Sequence, residues 1–230
     1  VATTSAANVC LGYETGKAIT TGNGSNTAMG YQSLASCNTG TYNTTLGFRA
    51  GMNATTMYGS TIVGSSAGSA GTLTAYYNNI FGMSAGMNLT SGGYNQIMGF
   101  EAGQAMTTTI RTVLIGHQVG KAINSTDADG TIGIGYTALL ALTDGQYNTA
   151  VGYEAGKTMT TANSNSFFGY QSGHIATGSS NAGFGTYSQY ALQGGANNSS
   201  FGSQASQNLS SANNCVAIGH ASGYGNTTGS

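Results

Sequence analysis

The stretch Asn148-Thr149-Ala150-Val151-Gly152-Tyr153-Glu154-Ala155-Gly156 decides how the rest of the chain is read, because the chain repeats it from end to end. With Gly152 as the marker, the same position recurs at Gly12, Gly30, Gly47, Gly64, Gly82, Gly99, Gly116, Gly135, Gly169, Gly185, Gly202 and Gly219. The thirteen copies follow one another at steps of mostly 17 residues, with extremes of 16 and 19. A repeat this short cannot bury its own apolar face, so it specifies a solenoid in which neighbouring coils cover one another.

Aligned on the marker, the copies form columns. The residue just before the glycine is apolar throughout (Leu11, Met29, Leu46, Val63, Phe81, Met98, Ile115, Ile134, Val151, Phe168, Phe184, Phe201, Ile218) and reads as the spine of the core. Seven residues after the marker a second apolar column runs through Ile19, Cys37, Ala54, Leu89, Met106, Ile123, Leu142, Met159, Ala176, Leu192 and Leu209. Two inward columns half a coil apart suit two short strands facing each other across a thin core. The expectation is an all-β parallel β-solenoid, a β-roll of about 13 coils, about 60 Å long at the usual strand spacing. Residues 1–230 read as one continuous array.

Other columns have their own reasons. Asn stands four before the marker at Asn8, Asn26, Asn43, Asn78, Asn95, Asn148, Asn165, Asn181 and Asn198, where stacked amides can bond along the array and a left-handed turn is tolerated. Three after the marker the residue is small, as at Ala50, Ala67, Ala85, Ala102, Ala155 and Ser172, and Gly usually follows, which fits a sharp corner at positive φ. Aromatics follow the marker at Tyr13, Tyr31, Phe48, Phe100, Tyr136, Tyr153 and Tyr170. The position two before the marker is also often apolar (Ile62, Ile80, Ile97, Leu114, Phe167), so the strand is apolar on both faces and one face wants a partner chain. The longest step carries Asn124 to Gly130 and reads as a protruding loop.

Composition narrows function. Charged residues are 5% of the chain, net charge is −1, and Pro and Trp are absent. Lys17, Arg49, Arg111, Lys121 and Lys157 are scattered, so no basic patch exists for nucleic acid. No apolar run approaches the roughly 20 residues of a membrane span. The chain begins and ends inside repeats, so a targeting or anchoring segment would lie outside it, and open terminal coils would stack head to tail or continue. Cys10, Cys37 and Cys215 give no disulfide framework, and Cys10 and Cys215 are too far apart to bond within one chain.

The copies NTAMGYQSL from Asn26, NTTLGFRAG from Asn43, NTAVGYEAG from Asn148 and VAIGHASG from Val216 resemble the head repeats of trimeric autotransporter adhesins and are similar to repeats of phage tail-fibre and related surface proteins. The resemblance covers nearly the whole chain. It implies a left-handed parallel β-roll, three chains about one axis, and display outside a cell or on a virion. The neck and heptad stalk that follow such heads are not in this sequence, and the motif residues are structural, so no catalytic residue carries over.

Chemical motifs have plainer readings beside them. Gly64-Ser65-Ser66-Ala67-Gly68 and Gly82-Met83-Ser84-Ala85-Gly86 match the nucleophile elbow of hydrolases, but that motif needs a following helix, and both matches arise when Ser fills a variable repeat position. His117, His174 and His220 have no metal-ligand spacing. Asp127 and Asp129 before Gly130 lack the distal Glu of a calcium loop. Glu14 with Lys17 and Glu154 with Lys157 read as surface pairs. Glycosylation sequons stand at Asn23, Asn43, Asn53, Asn88, Asn124, Asn197, Asn198, Asn208 and Asn226, and Asn43 also belongs to the turn column.

The expected function is therefore a non-enzymatic extracellular rod, a fibre segment, filament or adhesin. Catalytic, cofactor and metal residues are expected to be none. Its expected partners are copies of itself, as a trimer or a head-to-tail filament, and a host surface or glycan, with neither nucleic acid nor membrane insertion. The alternative is an ice-binding solenoid, favoured by low charge and abundant Thr, although no regular outward Thr-x-Thr column appears.

Overall fold

The computed structural model describes residues 7–19 and 24–225. The chain is an all-β, parallel β-solenoid with one strand per coil and a spacing of about 17 residues. It divides into two compact units, Val1–Thr112 with Asn124–Thr126, and Val113–Ile123 with Asp127–Ser230.

The first unit carries β1 (Val9–Leu11), β2 (Thr27–Met29), β3 (Thr44–Leu46), β4 (Thr61–Val63), β5 (Asn79–Phe81) and β6 (Gln96–Met98). Each pairs in parallel with the next at the same repeat position, as in Thr45↔Ile62 and Ile80↔Ile97. The second unit carries β7 (Val113–Ile115), β8 (Ile132–Ile134), β9 (Thr149–Val151), β10 (Ser166–Phe168), β11 (Ala182–Phe184), β12 (Ser199–Phe201) and β13 (Val216–Ile218), paired in the same way.

A second strand per coil, expected from the two apolar columns, is not formed. The return path is a run of turns, because two residues of each coil take left-handed backbone: the one two after the marker (Glu14, Arg49, Ser66, Glu154) and the one four after it (Gly16, Gly51, Gly68, Gly156). Alternating handedness prevents an extended segment there. The turns still bond coil to coil, as from Gly68 N–H to the Ala85 carbonyl at 3.0 Å and from Gly156 N–H to the Ser172 carbonyl at 3.0 Å. The column seven after the marker is buried as expected, from Ile19 to Leu209.

The spine assignment is corrected. In every strand from β2 onward the middle residue, two before the marker, is buried, whereas the residue just before the marker faces outward. Leu11 is 61% exposed and Met98 48%, values that rule them out as core. The true inner column is uneven, running through Ala28, Thr45, Ile62, Ile80 and Ile97 in the first unit and Leu114, Gly133, Ala150, Phe167, Gly183, Ser200 and Ala217 in the second.

That unevenness is compensated at the corner four residues after the marker. Where the inner residue is large (Ile62, Ile80, Leu114, Phe167), the corner is Gly68, Gly86, Gly120 or Gly173; where it is small (Ala28, Gly133), the corner is the fully buried Leu34 or Leu139. Gly183 is matched by Gln189, whose Nε2 donates to the Ser200 hydroxyl at 3.0 Å. A Cβ on Gly173 would lie 2.5 Å from Cε2 of Phe167, and one on Gly133 would meet Cδ1 of Leu139 at 3.4 Å. In these coils the two positions share one volume, whereas the small pair Ala150 and Gly156 is filled in by neighbours, Leu139 Cδ2 and Met159 Sδ each lying 2.9 Å from where a Cβ on Gly156 would stand.

The Asn column forms hydrogen-bonded ladders within each unit. Asn26 Oδ1 accepts from the Asn43 backbone N–H and Nδ2, both at 3.0 Å, while Asn43 Nδ2 donates to the Met57 carbonyl at 2.7 Å. In the second unit Asn165 N–H donates to Asn148 Oδ1 at 3.0 Å, and Asn181 N–H to Asn165 Oδ1 at 2.9 Å. Left-handed backbone falls on the residue before the Asn, such as Tyr42 (φ 60°) and Tyr147 (φ 56°), and not on the Asn itself. The long step before Gly135 holds a turn of 3-10 helix at Thr126–Ala128 and, contrary to a purely protruding loop, buries Ala128 completely.

The shared volume makes a direct prediction. Gly173→Ala should cost about 2–5 kcal/mol in equilibrium denaturation, combining left-handed strain with overpacking. In a Phe167→Ala background the same change should cost only the strain, about 1–2 kcal/mol. Additive effects would refute the compensation.

Candidate functional surface

Strand residues alternate sides, so burying the middle residue exposes the other two. Each unit therefore presents a sheet face with two outward columns. In the first unit these pair Thr27 with Met29, Thr44 with Leu46, Thr61 with Val63, Asn79 with Phe81 and Gln96 with Met98. In the second they pair Val113 with Ile115, Ile132 with Ile134, Thr149 with Val151, Ser166 with Phe168, Ala182 with Phe184, Ser199 with Phe201 and Val216 with Ile218. No charged side chain stands in either column. Phe168, Phe184 and Phe201 stack with ring centroids 4.8 Å apart at each step and planes within 6°.

Beside this face runs the aromatic column after the marker. Tyr13, Tyr31 and Phe48 stack at 5.3 and 5.4 Å, and Tyr136, Tyr153 and Tyr170 at 5.1 and 5.2 Å, with planes within 12°. The next column is polar. Glu14 accepts from Lys17 Nζ at 2.8 Å and from Gln32 Nε2 at 2.8 Å, and Arg49 Nε donates to Gln32 Oε1 at 3.2 Å. The two expected acid–lysine pairs are both present, the second at 2.7 Å between Lys157 and Glu154.

The second pair belongs to a tighter cluster that sequence reading missed. Glu154 also accepts from Gln171 Nε2 at 2.6 Å and lies 3.3 Å from His174 Nε2, whose ring stacks on Tyr190 at 5.0 Å. The signal was available, since His174 lies three residues after Gln171, at the repeat position that Lys157 holds one coil earlier. The Lys157 hydrogen bond holds the Glu154 carboxyl below its ordinary pKa. Burial lowers the His174 pKa, outweighing the pull of Glu154.

The remaining chemical candidates are dispersed. Ser66 and Ser84 lie in turns at φ 55° and 56°, and no helix follows either one. The Ser66 carbonyl accepts from the Ser69 hydroxyl at 3.0 Å. His117 stacks on Tyr136 at 5.0 Å, and His220 stands exposed in the same column. Among the described residues no three His, Cys, Asp or Glu side chains group so as to hold a metal ion, and no helix is long and apolar enough to cross a membrane. Cys37 is buried, Cys10 and Cys215 are half-buried, and all three are free thiols. Of the sequons, Asn43 and Asn198 are buried in the ladders, so their amides cannot carry a glycan; Asn124 and Asn197 are exposed, and Asn23 and Asn226 lie outside the described residues. Compared with known proteins, the chain matches no family model, no curated protein and no solved structure.

A His whose folded-state pKa is depressed binds its proton less readily folded than unfolded, so stability falls as pH drops below about 6.5 and levels off beneath the folded value. His174→Phe keeps the stack on Tyr190 and removes the titration. The loss of melting temperature from about pH 7.5 to about pH 5.5 should shrink in this variant; an unchanged loss would contradict the assignment.

Proposed function

We propose that this chain is a non-enzymatic structural and adhesive rod, a segment of an extracellular fibre, filament or adhesin, that associates with copies of itself through its outward sheet face. The observation that carries the reading is the apolar column of that face. In the second unit a strip three residues wide and seven coils tall covers about 300 Å² in plan, at about 3.3 Å per residue and about 4.8 Å per coil. A strip of this size matches the largest apolar patch of a typical monomer, which is often functional. Ring stacks such as Phe168-Phe184-Phe201 keep their outer edges in water unless another chain covers them.

A trimer about the sheet face agrees with the adhesin-head resemblance, and pairing of terminal strand edges would instead give a head-to-tail filament. Neither arrangement needs catalysis, and Ser66 and Ser84 stand in turns without the following helix that a nucleophile elbow requires. Extracellular display fits a surface whose charge is low and whose polar columns are amides and hydroxyls.

The ice-binding reading has one observation in its favour. Thr27, Thr44 and Thr61 stand in consecutive outward positions, Thr27 and Thr44 exposed and Thr61 half-exposed. The adjacent outward column is Met29, Leu46 and Val63, which breaks a Thr-x-Thr array. Thermal hysteresis at micromolar protein would favour this reading over assembly.

Sedimentation tests the main reading. The native chain should run as an oligomer at micromolar concentration, and Phe168→Lys with Phe184→Lys should shift it to monomer without loss of sheet signal. A native chain that is monomeric at those concentrations would overturn the reading.

A further inference from the structure

The first unit carries a second aromatic feature unlike the stacked column. On the turn five and six residues before the marker, Tyr42, Tyr58, Tyr77 and Tyr94 come from four consecutive coils and form a row with centroid steps of 5.4, 5.5 and 5.4 Å. The first two steps are crossed, Tyr42 meeting Tyr58 at 74° and Tyr58 meeting Tyr77 at 79°, and the third is tilted, Tyr77 meeting Tyr94 at 31°. Parallel stacks such as Tyr136-Tyr153-Tyr170 lay face on face, whereas the crossed steps at Tyr58 turn a ring face away from the neighbouring face. All four rings are exposed, and Tyr76 stands exposed beside them.

Backbone geometry makes the placement costly. Tyr42, Tyr77 and Tyr94 have φ of 60°, 57° and 62°. Left-handed backbone costs a bulky L-residue about 1–2 kcal/mol. Gly59 occupies the same repeat position at φ 58°, so glycine meets the geometry at that place in the coil. A Cβ on Gly59 would sit 3.0 Å from the Tyr77 ring, so the glycine clears the space across which Tyr77 reaches Tyr58. Left-handed backbone recurs at this repeat position in other coils, as at Ser25, Arg111, Ser164 and Ser180, so it belongs to the coil; what sets these four coils apart from those is the exposed ring at that position or the one beside it.

The surroundings define the ligand. The turn segments 38–45, 55–62, 72–80 and 90–97 contain no charged residue and are rich in Thr, Ser, Asn and Gly. Thr39, Thr56, Thr72 and Ser91 offer exposed hydroxyls there. A charged ligand finds a counter-ion only at Arg111, which follows Tyr94 at the end of the row, while along the four rings a linear polymer with apolar C–H faces and hydroxyl edges meets rings and hydroxyls. We propose that the Tyr42-Tyr58-Tyr77-Tyr94 row binds a neutral linear oligosaccharide lying along the direction of coil stacking. This rests on the reading of the chain as an adhesive rod, but uses a turn surface distinct from the outward sheet columns. Repetition of such rows across assembled chains would multiply weak contacts.

Calorimetric titration of the native chain with maltohexaose, cellohexaose and chitohexaose, with polygalacturonate as the charged comparison, tests the proposal. At least one neutral hexasaccharide should bind, with affinity falling at least about tenfold in Tyr58→Ala and in Tyr77→Gly. Tyr77→Gly relieves the backbone, so its melting temperature should be undiminished while binding falls, which separates lost recognition from lost folding. Tyr153→Ala, in the stacked column, should bind as the native chain does. No binding by any neutral hexasaccharide, binding of polygalacturonate alone, or binding unaffected by Tyr58→Ala and Tyr77→Gly would overturn the proposal. So would a change of sedimenting mass in those two variants, because the row would then be a contact between chains. The same measurements on the monomeric Phe168→Lys, Phe184→Lys protein distinguish failure of the glycan site from failure of the assembly reading.

Discussion

Main-chain stacking of one coil on the next, closest at the marker glycines, is the constraint on which the other columns depend. A Cβ on Gly47 would lie 2.6 Å from the carbonyl oxygen of Gly64, so no side chain fits between the coils there. The marker glycines also hold φ between 117° and 143°, outside the range of other residues. With backbones this close and bonded at the same repeat position, every side chain stacks on its counterpart one coil away. Amides then form the buried Asn ladder, rings form stacks, and the outward apolar residues form strips.

The core obeys the same constraint in a less uniform way. A coil has a fixed cross-section, so a large inner residue such as Phe167 requires Gly173 at the corner, and Gly133 requires Leu139. Leu34 and Leu139 accept left-handed backbone, both at φ 53°, in order to fill that space. Burial of a leucine offsets a strain of about 1–2 kcal/mol. The exposed tyrosines at φ near 60° bury no comparable side chain, and their left-handed backbone is held by coil-to-coil hydrogen bonds, as from Tyr77 N–H to the Tyr58 carbonyl at 2.9 Å.

Much of this was legible in the sequence. The period, parallel stacking, the Asn ladder, the small-then-glycine corner and the column from Ile19 to Leu209 follow from spacing and residue chemistry alone. The sidedness of the strand did not. Both Val151 and Ala150 stand in columns compatible with a core, and the more uniformly apolar column invited the wrong choice. Uniformity proved to be a property of the outward face, whereas the inner column varies because its volume is made up elsewhere, at the corner in coils such as those of Phe167 and Gly133 and by Leu139 and Met159 beside Ala150. The absence of the second expected strand was only half legible: of the two left-handed residues per coil, the corner glycine shows in the sequence, but the other, commonly Glu, Gln or Ser, leaves no compositional trace. The Tyr row was also hidden, since Tyr58 stands one repeat position off from Tyr42, Tyr77 and Tyr94 and only the fold sets it between Tyr42 and Tyr77.

Thiol labelling at adjacent positions of one strand tests sidedness and assembly together. In a background with Cys10, Cys37 and Cys215 replaced by Ala, Ala150→Cys should resist a small thiol reagent at every protein concentration. Val151→Cys should react rapidly in dilute protein and more slowly as concentration rises and chains associate. Rapid labelling of Ala150→Cys with concentration-independent protection of Val151→Cys would place the other face inside and contradict the account.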